Sequence, residues 1–273
     1  MPDVRLIASD MDGTLLNKEL KIASRNAAAI KAAQQKGVIF AVCSGRFSQF
    51  GAMKMHEAGI GCPVIGANGA SIWDDNEKKI TDAFPIPAET ALTVNALLQE
   101  YGIYYCVFAP GLITASREGT THLKTFWNHP VLTENYGLGF SSDVKDIAKT
   151  AAEGNALKFY VGRLPDDIYG KLACDLEKIE GIYVTTSGRN CFEIMGEGVN
   201  KCSGVERLAA MHGIQMDEVM TLGDYFNDVP MLQAAGLGVA MGNAPEDVKA
   251  CADYVTDTNE NDGVAKAIEK FVL

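Results

Sequence analysis

A short apolar run that empties into clustered carboxylates constrains this chain more than any other feature. Val4 to Ser9 is largely apolar, and Asp10-Met11-Asp12-Gly13-Thr14-Leu15 follows at once. A continuous apolar run closed by acidic residues and a glycine is the pattern of a parallel strand, buried on both faces, running out into a loop. The arrangement recurs. Val38 to Cys43 ends in Ser44-Gly45-Arg46, and the run Glu218 to Leu222 ends in Gly223-Asp224-Tyr225-Phe226-Asn227-Asp228. Between the first two runs, Ala27, Ile30 and Ala33 keep helical spacing, with Ser24 placed to cap the helix and Gly37 to end it. Strand, helix and strand in this order predict βαβ units of a doubly wound, Rossmann-like parallel sheet.

The alternation continues with a helix over Phe47–Glu57, a strand over Pro63–Ala67, Asn68-Gly69 and a polar turn at Asp74-Asp75-Asn76. Its character then changes. From Ile86 to Cys191 the pattern predicts helices over 88–101, 143–152 and 165–179 and strands over 103–108, 112–115 and 157–161. A polar, aromatic stretch surrounds Phe126 and Trp127, and strand-like runs lie near Tyr183 and Phe192. From Lys201 the doubly wound pattern resumes, with a helix to His212, a helix over 228–235, a strand over 237–240, an edge strand at 254–255 and a closing helix over 263–271. The expected architecture is therefore α/β: a discontinuous core of residues 1–85 and 192–273, with an α+β domain of residues 86–191 inserted into it.

Bulk properties remove several function classes. The 273 residues carry a net charge of −11, which repels a phosphate backbone, so nucleic acid is not an expected partner. The longest apolar runs fall far short of the ~20 residues of a membrane span, and no basic segment followed by an apolar run opens the chain. Seven cysteines, odd in number and without a C-x-x-C pair, suit a reducing compartment, so a cytoplasmic location is expected. The histidines at 56, 122, 129 and 212 lack zinc-ligand spacing.

Open α/β sheets bind ligands at the carboxyl ends of their strands, so the polar residues at those exits are the ones that carry chemistry. Two carboxylates at i and i+2 where a chain turns can hold different jobs. Asp10 would attack a phosphorus atom, while Asp12 would protonate the leaving oxygen and later take a proton from water. Gly13 lets the chain turn beside Met11, and Thr14 offers a hydroxyl and an N–H to phosphoryl oxygens. A phosphate monoester carries nearly two negative charges, so an aspartate nucleophile needs cations around it. Asp224 and Asp228 supply hard oxygen ligands suited to Mg²⁺, completed by Asp10 and the Asp12 carbonyl. Lys201 at a helix start adds a point charge, and Ser44 and Gly45 offer a hydroxyl and amides. Arg46 either clamps the substrate or pairs with an acidic neighbour, and Asn227 either donates to phosphate or fixes Asp228.

Asp10 to Leu15, Ser44-Gly45-Arg46, Lys201 and Gly223 to Asp228, in this order and with a large insertion between the second and third, resemble the four motifs of the haloacid dehalogenase superfamily of phosphatases. The position of the insertion and Gly66-Ala67-Asn68-Gly69-Ala70 ahead of it are similar to the Cof-like subgroup, whose members carry a large α/β cap over the active site. The resemblance implies Mg²⁺-dependent hydrolysis of small phosphate monoesters, such as sugar phosphates, nucleotides or pyridoxal phosphate, through an aspartyl-phosphate on Asp10. It places Asn68 near the site and Asn227 on the phosphoryl group. Asn200-Lys201-Cys202 stands where Ser-Lys-Gly is more usual, which keeps the charge and makes the residue after it bulkier. Arg117, His122, Lys124 and Trp127 are polar or aromatic candidates for substrate selection in the cap. Two other readings use the same residues: a phosphomutase that returns the phosphoryl group to substrate, and a non-catalytic sensor of phosphorylated ligands.

Overall fold

The computed structural model describes residues 3–117 and 129–273. The chain divides into two compact units, one built from the residues up to Thr81 together with Asn200–Leu273, the other from Asp82–Val199. This division falls at 81/82 and 199/200, not at the expected 85/86 and 191/192. The second shift has a plain cause: the strand Phe192–Gly196 pairs antiparallel with Lys158–Val161 and Ile182–Thr185, so it completes the sheet of the inserted unit.

The first unit holds an eight-stranded sheet in the order Tyr254–Val255, Leu237–Ala240, Val219–Gly223, Leu6–Ser9, Ile39–Cys43, Val64–Gly66, Ser71–Asp74, Lys79–Ala83. Its first six strands pair in parallel and Ser71–Asp74 turns back antiparallel to Val64–Gly66. Sequence order and sheet order diverge at Leu6–Ser9, which lies between strands contributed by the two ends of the unit. That reversal makes the carboxyl end of Leu6–Ser9 a switch point, where loops separate and leave room for a ligand.

Both faces of this sheet are covered. Leu6, Ala8, Ala41 and Cys43 pack with Cys202, Val205, Leu208 and Ala209 of the helix Lys201–Met211 and with Met231. Ile7, Phe40 and Val42, which alternate with them, are also fully buried. The helix Ser24–Gln35 ends in a Schellman turn, Val38 N–H to Ala33 O and Gly37 N–H to Gln34 O, with Gly37 at φ +86°. Its start differs from expectation: Ser24 is the first helical residue, Ala23 holds the cap position, and no side chain caps it.

The strands Ser71–Asp74 and Lys79–Ala83 flank the turn that the sequence predicts, where Asp74 accepts from the N–H groups of Asn76 and Glu77. Ser71–Asp74 escapes the pattern because it is only four residues long, and Lys79–Ala83 because a strand at the sheet edge needs no continuous apolar run.

The inserted unit holds a six-stranded sheet in the order Ile182–Thr185, Phe192–Gly196, Lys158–Val161, Tyr105–Ala109, Leu112–Ala115, Gly139–Ser141. One of its faces packs an apolar core of Tyr105, Val107, Phe159, Val161, Phe192 and Ile194 with residues of the helices Ala88–Glu100, Val144–Ala152 and Asp166–Leu176. The sheet also carries a buried ion pair, Lys158 Nζ to Glu193 Oε1 at 2.8 Å. The helix Pro130–Tyr136, opened by proline, and the strand Gly139–Ser141 were not legible as periodic segments. Among the described residues no helix is long and apolar enough to cross a membrane.

Candidate active site

The predicted chemical residues within the first unit are assembled at the carboxyl ends of its parallel strands. Asp10 leaves the strand Leu6–Ser9 with its N–H still bonded to Leu222 O (2.8 Å), so its side chain sits beside the exit of Val219–Gly223. Lys201 arrives from the other direction as the first residue of its helix. The Asn200 side chain accepts from Ser203 N and the Ser203 hydroxyl accepts from Asn200 N, a reciprocal cap that fixes where the helix begins.

Lys201 Nζ donates to Asp10 Oδ1 (2.6 Å) and to Asp228 Oδ1 (2.5 Å). The other oxygen of Asp228 accepts from the N–H groups of Asp224 and Tyr225 at 2.9 and 3.0 Å. Asp224 Oδ1 accepts from the Thr14 hydroxyl at 2.8 Å. Asp10, Asp224 and Asp228 thereby bring one carboxylate oxygen each to within 4.8 Å of one another. Gly13 makes this closeness possible. It stands at φ +80°, and a Cβ there would overlap the Asp224 carboxylate.

Three carboxylates around one ammonium leave an excess of negative charge in a buried place. Burial pushes the Asp10 carboxyl well above its ordinary range, Lys201 draws it down, and the charges of Asp228, Asp224 and Asp12 push it up again. Asp224 is raised to about 6, by burial first and by Asp228 second. Burial opposes the Lys201 charge, but Asp10 and Asp228 outweigh it and hold the ammonium well above its usual range. The three carboxylates are hard oxygen donors that lack enough positive charge, which is the donor set a Mg²⁺ ion fits.

Asp12 stands apart from this cluster. It is bound bidentately by Arg46, with Nε to Oδ2 at 2.5 Å and Nη2 to Oδ1 at 2.7 Å, and its side chain is 40% exposed. Of the two alternatives for Arg46, the structure realises the pairing with an acidic neighbour, and its guanidinium lies 4.6 Å from the Phe50 ring. Met11 is fully buried, and its side chain belongs to the core.

Ser44 is buried, its hydroxyl accepts from Arg46 N (3.2 Å), and its carbonyl accepts from Asn68 N (3.0 Å). Asn68 adopts the left-handed conformation, φ 55° and ψ 40°, and its Oδ1 accepts from Asn227 Nδ2 at 3.4 Å. Cys202, one of the two residues that depart from the usual Ser-Lys-Gly, packs in the apolar cluster beneath the sheet and serves the core.

Two asparagines not singled out by the sequence reading touch the same loop. Asn243 Nδ2 donates to Gly13 O (2.8 Å), and Asn259 Nδ2 donates to Leu16 O (2.9 Å). Asn243 could have been found: Gly242-Asn243 follows the run Leu237 to Met241 as the other motifs follow their strands. The four candidates for substrate selection lie in the inserted segment. Arg117 is exposed, and His122, Lys124 and Trp127 fall outside the described residues.

A family model described as haloacid dehalogenase-like hydrolase matches residues 7–268. The chain is 34% identical over 277 residues to the 5-amino-6-(5-phospho-D-ribitylamino)uracil phosphatase YcsE of Bacillus subtilis, covering 99% of this chain and 97% of that protein. It is 28% identical over 276 residues to the pyridoxal phosphate phosphatase YbhA of Escherichia coli, covering 98% and 99%. A solved haloacid dehalogenase-like hydrolase from B. subtilis superposes with a TM-score of 0.82 at 29% identity, covering 98% of this chain and all of that one. With its motifs in order, its strand exits converging and its whole length matched, the chain belongs to the haloacid dehalogenase-like hydrolase family, among relatives named as phosphatases.

Proposed function

We propose that the protein is a Mg²⁺-dependent phosphatase that hydrolyses small phosphate monoesters through an aspartyl-phosphate on Asp10. The observation that carries this reading is the buried trio of Asp10, Asp224 and Asp228 gathered around Lys201. A nucleophilic carboxylate has no reason to be buried beside two others unless cationic charge arrives with the substrate or before it.

Asp10, Asp224 and Asp228, with the Asp12 carbonyl, would hold Mg²⁺, which supplies positive charge to offset that of the phosphoryl group. A carboxylate oxygen of Asp10 attacks phosphorus, and the bond to the ester oxygen breaks. Asp12 gives its proton to that leaving oxygen. A water molecule then attacks the phosphorus of the acyl phosphate, Asp12 takes a proton from it, and Asp10 is released as a carboxylate with inorganic phosphate. Lys201 would neutralise developing charge, while Thr14, Ser44 and the amides of Met11, Gly13 and Gly45 would hold phosphoryl oxygens. Asn227, whose amide donates to Asn68 Oδ1, would turn that donor to the phosphoryl group. Arg46 holds the Asp12 carboxylate bidentately, so this pair has to open before Asp12 can protonate the leaving oxygen.

By the family resemblance, the inserted unit would be the part that selects the leaving group. Relatives named for 5-amino-6-(5-phospho-D-ribitylamino)uracil and pyridoxal phosphate make phosphorylated alcohols of about that size the first substrates to try. The test is release of inorganic phosphate from a panel of phosphorylated sugars, nucleotides, pyridoxal phosphate and an aryl phosphate, with and without Mg²⁺. Release that needs Mg²⁺ and disappears in Asp10→Asn supports the reading. Full turnover by Asp10→Asn refutes the nucleophile, and isomerised substrate without net phosphate release identifies a mutase.

A further inference from the structure

The weak point of the loop that carries Asp12 is its glycine. Gly13 has the most permissive backbone in the segment and stands in the left-handed region between Asp12 and Thr14, so the glycine itself does little to fix the Gly13–Thr14 peptide. A shift of that peptide would carry Thr14 off Asp224 and move the backbone next to Asp12.

That peptide is gripped from outside. Asn243 Nδ2 donates to the Gly13 carbonyl at 2.8 Å. The amide of Asn243 is itself held, because its Oδ1 accepts from Asn259 N at 3.0 Å, and the Asn259 side chain reaches on to Leu16 O at 2.9 Å. Gly242 lets the segment around Asn259 close in: its N–H donates to Asp257 O at 3.0 Å, and a Cβ there would press on backbone atoms of Thr256, Asp257 and Thr258 at 3.0 Å. The strand exit that bears Asn243 is tied in turn to the one that bears Asp224, through Met241 N–H to Gly223 O at 2.9 Å.

Asn243 is an exposed residue whose side-chain bonds go to the Asp12 loop and to the segment that braces it. An amide spent on a loop surface has little to give the core. From this clasp we infer that Asn243, braced by Asn259, is a positioning residue: it holds the Gly13 carbonyl and so fixes the loop backbone from which Asp12 reaches the leaving oxygen. The inference rests on the proposed acid role of Asp12.

The experiment compares Asn243→Ala and the near-isosteric Asn243→Asp, which loses the donor, with Asp12→Asn and the unaltered protein. Each is assayed for kcat/KM on an alkyl phosphate, whose leaving oxygen needs a proton, and on p-nitrophenyl phosphate, whose leaving group does not. Mg²⁺ half-saturation and Tm are measured alongside. A misplaced acid costs about 10- to 100-fold on the alkyl ester. The Asn243 variants are expected to show that loss, a much smaller one on the aryl ester, and unchanged Mg²⁺ half-saturation and Tm. Equal losses on both esters, or a loss that follows a lowered Tm, make Asn243 merely structural and overturn the inference. Asn243 variants that match the unaltered protein overturn it as well, while an Asp12→Asn that retains the alkyl selectivity of the parent removes the acid reading beneath it.

Discussion

Asp224→Asn is expected to stabilise the metal-free protein at neutral pH while abolishing its response to Mg²⁺. The Asp224 carboxyl is raised from 3.8 to about 6 by burial and by Asp228, so the folded state binds its proton more tightly than the unfolded chain does. A carboxyl raised in this way favours folding below pH 4 and loses that contribution as pH rises through 6. At pH 7.5 the ionised group therefore costs the metal-free fold about 2–3 kcal/mol, from roughly two pH units at ~1.36 kcal/mol each. Asparagine carries no charge at any pH, keeps an oxygen to accept from the Thr14 hydroxyl, and fits the space beside Gly13. In EDTA at pH 7.5 the variant should melt roughly 5–10 °C above the parent, at about 2–4 °C per kcal/mol for a chain of this size. The gap should close toward pH 4.5. Added Mg²⁺ should close the gap at about a hundred times its Kd, where the parent gains about 2.7 kcal/mol, and reverse the order at about a thousand times, where the parent gains about 4.1 kcal/mol and the variant gains neither. Thermal melts at four pH values, with EDTA and with Mg²⁺, decide it. A variant less stable than the parent in EDTA at pH 7.5, or a gap that does not shrink on acidification, refutes the electrostatic account of the trio.

Three further outcomes follow from particular contacts. Gly13→Ala places a Cβ on the Asp224 carboxylate at a φ of +80°, so Mg²⁺ half-saturation should rise at least about tenfold, read from metal titration of activity, with stability lower by about 1–2 kcal/mol. Asn200→Ala removes the reciprocal cap that sets the position of Lys201; it should cost about 1 kcal/mol in denaturant unfolding and lower kcat more than KM. In the inserted unit, Lys158→Met leaves the Glu193 charge buried and should destabilise by about 3–5 kcal/mol, whereas Lys158→Met with Glu193→Leu should recover most of that loss in the same unfolding assay.

Much of the active-site geometry was legible because it obeys one rule of placement. Asp10, Ser44, Asp224 and Asp228 each follow a buried parallel strand, and a reader who finds the strands finds the exits. Lys201 was legible from its helix start, although the cap that places it, Asn200 with Ser203, takes an asparagine where serine is usual. The orientation of Asp12 was not legible. Whether it faces the cluster or Arg46 is decided by two side chains 34 residues apart, and the sequence left Arg46 open between substrate and carboxylate. The clasp of Asn243 on Gly13 spans 230 residues and uses a backbone carbonyl, which carries no residue-specific signature at all.

The inserted unit shows why the substrate is harder to read than the reaction. Its strands were found as apolar runs, Leu157 to Val161 and the stretch near Phe192, and half of each does face the apolar core through Phe159, Val161, Phe192 and Ile194. Strand geometry sends the alternate residues to the opposite face, and there stand Lys158, Tyr160 and Glu193, with the ion pair of Lys158 and Glu193 almost wholly buried and Ser187 donating to the same carboxylate at 2.9 Å. In sequence a lysine and a glutamate inside strands look like ordinary exposed positions of a half-buried sheet. Only the pairing of Phe192–Gly196 beside Lys158–Val161 brings the two charges together, and that pairing also moves the boundary of the unit. A reaction that needs fixed groups at strand ends leaves a motif in the chain. The side chains across a sheet face depend on which strands become neighbours, and their chemistry becomes visible only after the fold has chosen them.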